Sequence, residues 1–211
     1  PRPALQKLYI DLSQTRAAYD SVDFSNPGQA RFYSKRPPRT QSVAIFLPDR
    51  VLVAEEWAGI ALSDYLEKVR EIAGRVLRDL GVAAFGAQTV TLRSTFALTH
   101  FQDARQFLLD HACQQANRIL PHFNRPILTG GLRFVLPETA EHAGNLNVLI
   151  ESFRQSHSEV FVEVKGIFNQ QNFDRETLAK AEDNIRTCRG FITGSVFPFL
   201  NQYDLPHEDL V

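Results

Sequence analysis

The chain has no methionine, one tryptophan and two cysteines in 211 residues, and its charges nearly cancel, 23 Lys and Arg against 24 Asp and Glu. Each scarcity excludes something. Cys113 and Cys188 sit far apart among aliphatic residues on helical patterns, where reduced core thiols are the expectation; a chain this long buries enough surface to need no disulfide staple. Apolar stretches are short, such as 82–85, the five residues 43–47, and 191–200, the last broken by Thr193, Gly194 and Ser195. All fall short of the ~20 residues that cross a bilayer, so no transmembrane helix and no membrane partner are expected. The opening PRPALQKLYIDL places charge and alternation where a signal peptide has an apolar run, which predicts a cytoplasmic location. The missing initiator methionine leads to the expectation that residues precede Pro1.

Catalytic spacings are missing as well. No HExxH or CxxC occurs, and His100, His111 and His122, spaced by eleven, would share a helix face only if Pro121 did not interrupt it. A hydrogen-bonded core imidazole is the expectation for His111. Gly130-Gly131 precedes a strand pattern instead of a helix, so it cannot offer helix amides to a phosphate, and no Gly-x-Ser-x-Gly elbow is present. No catalytic residue, metal or cofactor is expected; an enzyme stays open only through catalytic groups distant in sequence, and a non-catalytic protein is the leading expectation.

What is present is enough apolar material to fold: 44% of residues are hydrophobic, which excludes wholesale disorder. Leu8, Ile10 and Leu12 alternate with Lys7, Tyr9 and Asp11, predicting a half-buried strand. Strands are expected at 29–35 and 41–47 on either side of Pro37-Pro38, and at 51–54 after a tight turn at Pro48-Asp49. The clearest helix runs over 62–80: Leu62, Tyr65, Leu66, Val69, Ile72, Val76, Leu77 and Leu80 make one stripe, with Glu67, Lys68, Arg70, Glu71, Arg75 and Asp79 facing away. Gly81 supplies its stop. Val90, Leu92, Phe96 and Leu98 then alternate with polar residues as a long strand. Thr99 and Gln102 have capping-box spacing, predicting a second helix up to Pro121. Strands follow at 132–136, 146–154 and 160–168, the last two joined as a hairpin. A third helix is expected from Asp174 to Gly190, and 202–211 reads as a polar tail.

Runs of neighbouring strands, instead of strict alternation with helices, predict an α+β fold: a mainly antiparallel sheet backed by three helices, in a single domain over 1–211. Leu47-Pro48-Asp49 and Leu136-Pro137-Glu138 hint at two related halves, 1–86 and 87–200. The hairpin strands ending in Trp57, the helix with Tyr65-Leu66, the strand bearing Arg93, the paired strands through Ile150-Glu151-Ser152-Phe153 and the closing 185–200 segment together resemble an uncharacterised, sporadically distributed bacterial protein family. The similarity is one of order and spacing across most of the chain. It implies a two-half α+β fold and no known activity, and it transfers no catalytic residue.

Three surfaces carry the functional expectations. If Val90, Leu92 and Phe96 pack under helices, Arg93 points the other way, and by the same alternation Arg133, Glu151, Glu163 and Lys165 join it on an open sheet face for a ligand or partner. In the segment 191–200, six large apolar side chains crowd ten residues, with Phe197 and Phe199 as anchors, either in the protein's own core or on a partner. The leading expectation is therefore a non-catalytic binding or assembly protein with a protein partner or self-association. The alternative is nucleic-acid binding through Arg31, Phe32, Tyr33, Lys35, Arg36 and Arg39, since cations meet phosphates and rings stack bases. The balanced charge of the whole chain argues against that alternative.

Overall fold

A computed structural model of the chain describes residues 2–36, 39–114, 122, 125, 127–169 and 171–206. Their order is α1 (Arg2–Leu12), β1 (Ser21–Asp23), β2 (Ala30–Arg36), β3 (Thr40–Phe46), β4 (Val51–Glu56), α2 (Leu62–Asp79), β5 (Gln88–Ala97), α3 (Ala104–Gln106), β6 (Gly131–Leu136), β7 (Asn145–Ser152), β8 (Glu159–Phe168), α4 (Ala179–Phe191) and α5 (Phe197–Asn201). The fold is α+β, with two antiparallel sheets ordered β1-β2-β3-β4 and β5-β8-β7-β6. Two compact units divide the chain: Pro1–Gly86 with Asn172–Glu182, and Ala87–Gln171 with Asp183–Val211. No described helix is long and apolar enough to cross a membrane.

In the first unit, the stripe on α2 buries Leu66, Ile72, Val76 and Leu77, and Gly81 follows at φ +71°, the left-handed turn that ends the helix. The inner face of the sheet carries Val22, Phe32, Ala44 and Val53 in one cross-strand row. Phe32 is fully buried at its centre, edge-on to Tyr9 at 5.2 Å and tilted against Phe46 at 4.7 Å. The β3–β4 connection closes where expected, Leu47 N donating to Arg50 O across Pro48-Asp49. Chain from far downstream completes the unit: Phe173 exchanges two backbone hydrogen bonds with Phe85, Leu178 lies against Gly74, and Glu182 accepts from both Nε and Nη2 of Arg70.

Three expectations for this unit need correcting. The stretch 7–12 is helical: Leu8 and Leu12 fit a spacing of four as well as one of two, and the helix buries both while leaving Ile10 exposed. Lys68 faces the core, because Glu55 waits for it there. Phe32 is core and not available to stack a base. The expected loop at Pro37-Pro38 lies outside the described residues.

In the second unit, β5 and β8 pair over their whole length, from Gln88↔Phe168 to Ala97↔Glu159. Val160, Val162 and Val164 of β8 and Val148 and Ile150 of β7 are buried on the inner face. Gly166 lets α4 approach: a Cβ there would stand 2.5 Å from Cys188 Sγ, inside any tolerable contact. Burial pushes the Cys188 thiol up to about 11, as for a core thiol.

The helix predicted from Thr99 begins instead at Ala104, after Asp103, whose carboxylate accepts from Arg105 N and Gln106 N. Arg105 and these amides hold the Asp103 carboxyl down at about 2. One turn later the helix widens into a π turn over Phe107–Ala112, and its expected continuation over 115–121 lies outside the described residues. Residues 174–178 form a capped turn, with Asp174 Oδ1 accepting from Glu176 N and Thr177 N, before α4 starts at Ala179. Helix α4 does not stop at Gly190; it runs on through a π turn at Ile192–Val196 into α5. The spacing of four buries Ile192, Val196 and Leu200, while Phe197 packs half-buried on Phe96 and Phe199 on Tyr203. The described part of the expected polar tail is anchored: Asp204 is buried and accepts from Thr99 N at 2.7 Å and His100 N at 2.9 Å. Residues 207–211 lie outside the described residues.

Truncation after Gly190 is therefore expected to remove three buried anchors worth about 1.5–3 kcal/mol each. A steep fall in the thermal midpoint, or insolubility, checks this; a truncated chain of unchanged stability would contradict it.

Candidate functional site

The second sheet collects all five charged residues expected on its outer face. Antiparallel register puts Arg93, Glu163, Leu149 and Arg133 in one row across the four strands. Beside it run Thr91, Lys165, Asn147 and Val135, and on the other side Thr95, Phe161, Glu151 and Gly131. Arg93 Nε reaches Glu163 Oε2 at 2.7 Å, and Phe161 stacks nearly parallel on Phe153. Arg93, Arg133 and Lys165 are exposed. The surface is thus mixed, with cations set among Leu149, Phe161 and Val135.

At the rim of this face β6 is an edge, hydrogen-bonded to β7 and to no other described strand. Its side chains stay wet on both faces: Phe134 is 42% exposed, Val135 63% and Leu136 38%. An edge strand normally carries charge, proline or a bulge that discourages further pairing. This one has a single charge, Arg133, within GLRFVL.

The basic segment of the first unit separates into two sets by alternation. Phe32 goes inward; Arg31, Tyr33 and Lys35 share the outer face of β2, with the Arg31 guanidinium 5.3 Å and the Lys35 ammonium 5.9 Å from the centre of the Tyr33 ring. Arg36 and Arg39 are exposed at the end of the sheet, where Arg39 lies over Trp57 at 5.8 Å. Trp57 belongs to this cluster, and no composition or periodicity signal points to it.

Nor does any pattern announce the ionic cluster inside the first unit. Lys68 Nζ donates to Glu55 Oε1 at 2.7 Å and to Ser42 Oγ at 2.6 Å, while Ser42 Oγ donates to Glu55 at 2.8 Å. The Lys68 and Glu55 side chains are only 10% and 9% exposed. The ammonium also rests 4.3 Å from the centre of the Tyr19 ring. Tyr65 OH donates to Val53 O, and burial followed by the Glu55 charge pushes its phenol up to about 12. Burial and then Glu55 raise the Tyr19 phenol further, against a smaller pull from Ser42; its hydroxyl has no well-formed partner among the described residues.

A serine beside a lysine is the layout of a nucleophile and its base. Here the chemistry is otherwise. Lys68 Nζ is already taken up by Glu55 and the Tyr19 ring, and the serine hydroxyl donates to that carboxylate, so neither group is set to activate the other. The cluster is a polar lock in the core. Among the described residues no group of three or more His, Cys, Asp or Glu side chains is arranged to hold a metal ion.

Lys68→Met should cost about 3–5 kcal/mol, because Glu55 is left buried without a counter-charge. Adding Glu55→Leu should restore most of that loss, which denaturant unfolding of the three proteins would measure. The tyrosines predict alkaline weakening. With the Tyr65 phenol raised from 10.0 to about 12 in the fold, the unfolded chain ionises first, so stability is whole below about pH 10 and falls as pH rises toward 12. Unfolding midpoints taken across that range check the sign, and Tyr65→Phe should flatten the fall.

Set beside protein-family models, curated proteins and solved structures, the chain matches none of them, so no activity, substrate or partner is carried over to these surfaces.

Proposed function

We propose that the protein is a binding or assembly module, acting by contact and not by catalysis, through the outer face of the second sheet and the open edge at β6. The observation that carries this reading is the wet strip Phe134-Val135-Leu136 on a strand that pairs on one side only among the described residues. A partner strand added there would satisfy the outward backbone groups and cover three apolar side chains, each worth about 1.5–3 kcal/mol when fully buried. The adjacent row from Arg93 to Arg133 gives such a contact its register, since Arg133 stands at the rim with no ion pair among the described residues while Arg93 is already matched by Glu163. Residues Phe197 and Phe199 contribute less to this reading, being packed on their own unit. A cytoplasmic site of action belongs to the same proposal and is supported by the two free thiols, Cys113 and Cys188.

Size-exclusion chromatography with light scattering tests it directly. Association is expected in the native protein and is expected to be lost in Val135→Lys with the thermal midpoint unchanged. A native chain that is strictly monomeric, and that captures no protein from a lysate through a surface sensitive to Val135→Lys, would overturn the proposal.

A further inference from the structure

We infer that the end of the first sheet bearing Lys35, Arg36, Arg39 and Trp57 is a binding site for single-stranded nucleic acid, separate from the edge at β6. Trp57 carries the inference. Its backbone sits at φ +53°, a left-handed conformation that a bulky side chain adopts only when its surroundings impose it. Thr40 Oγ1 donates to Trp57 O at 3.1 Å and helps hold that conformation. The result runs against ordinary burial: the largest apolar side chain in the protein is kept 60% exposed at the end of a sheet. With Arg39 over the ring and much of the indole still in water, the site offers a stacking platform with a cation attached.

Charge supports the same ligand. The whole chain is nearly neutral, but several acids of the first unit are engaged with other cations: Glu55 with Lys68, Glu71 and Asp11 with Arg75, Glu182 with Arg70. Among the described residues no acid is ion-paired to Lys35 or Arg36, and the nearest in register is Glu56, two strands from Lys35 in the row Lys35, Gln41, Glu56. Lys35, Arg36 and Arg39 still outnumber the acids of the neighbouring rows, Glu56 and Asp20, whose amide donates to Ser34 Oγ beside Lys35, and leave this end locally positive. From it, Lys35, Tyr33 and Arg31 continue along β2 on one face, alternating cation and ring. A linear array of cations and flat rings on an open surface suits an extended polyanion with exposed bases; a small anion would call for enclosure, and a duplex keeps its bases stacked away from Trp57.

Because Trp57 is the sole tryptophan, its fluorescence reads the site directly. Titration of the intact protein with a short oligothymidylate at low salt should quench it, with duplex DNA of equal length quenching much less. Affinity should fall with salt at a logarithmic slope of about −2 for three phosphate contacts. Trp57→Ala, followed by labelled oligonucleotide anisotropy, should bind roughly ten- to a hundredfold more weakly; Arg36→Gln with Arg39→Gln should lower the salt slope by about 1.4, two contacts at ~0.7 each. Val135→Lys should bind as the native chain does. No quenching at low salt, affinity unchanged in Trp57→Ala, or quenching by heparin without any by the oligonucleotide would each overturn the inference.

Discussion

Helix α4 can lie close on strand β8 only because Gly166 has no side chain: a Cβ would press on Cys188 Sγ and on the Phe168 ring. That contact decides which face of the second sheet is dry. Once Val160, Val162 and Val164 are committed to the helix side, strict alternation turns Phe161, Glu163 and Lys165 the other way, and antiparallel pairing copies the choice onto β5, β7 and β6. The outer face is therefore a product of packing on the opposite side. A functional surface here needs no special loop; it is the side the helix leaves free.

The first unit meets the same constraint with different chemistry. Its inner face is dry around Phe32 but ends in Ser42 and Glu55, and α2 answers with Lys68 instead of an aliphatic residue. An ion pair so far from water gives little net stability over a hydrophobic replacement of the same volume. What it provides is discrimination. Sliding β4 or α2 by one position would strand a carboxylate or an ammonium in the core, so the pair penalises wrong registers more than it rewards the right one.

Elements with long, unbroken periodicity are legible from residue order alone: α2, the ladder of β5 and the β7–β8 hairpin all fall within a few residues of their expected bounds. Alternation by itself also brings Arg93, Arg133, Glu151, Glu163 and Lys165 onto one face, because period two propagates across any antiparallel register. Where two periods share positions, periodicity misleads. Leu8 and Leu12 satisfy both a strand and a helix, and burial of the pair by α1 is decided by Phe32 and Phe46, which lie in later strands. Gly190 has the composition of a helix end, yet the need to bury Ile192, Val196 and Leu200 carries the helix past it. Lys68 and Trp57 are illegible for a different reason. Burial of a lysine depends on a carboxylate thirteen positions away in sequence, and a left-handed tryptophan depends on the turn that surrounds it, so neither is written in its own residue type.

Asn172–Glu182 has a consequence for how the protein is made. The first unit is not finished when its first 86 residues have left the ribosome, since the partner strand for Phe85, the side chain against Gly74 and the counter-ion of Arg70 all reside in those eleven later residues. A nascent chain must hold an incomplete unit open while 85 residues of the second are synthesised. Both units are completed in the same passage of translation, because α4 starts in one and ends in the other. A gene fragment cut at the apparent boundary after Gly86 would encode neither unit whole, and the natural seam for dividing this protein does not exist as a single point on its sequence.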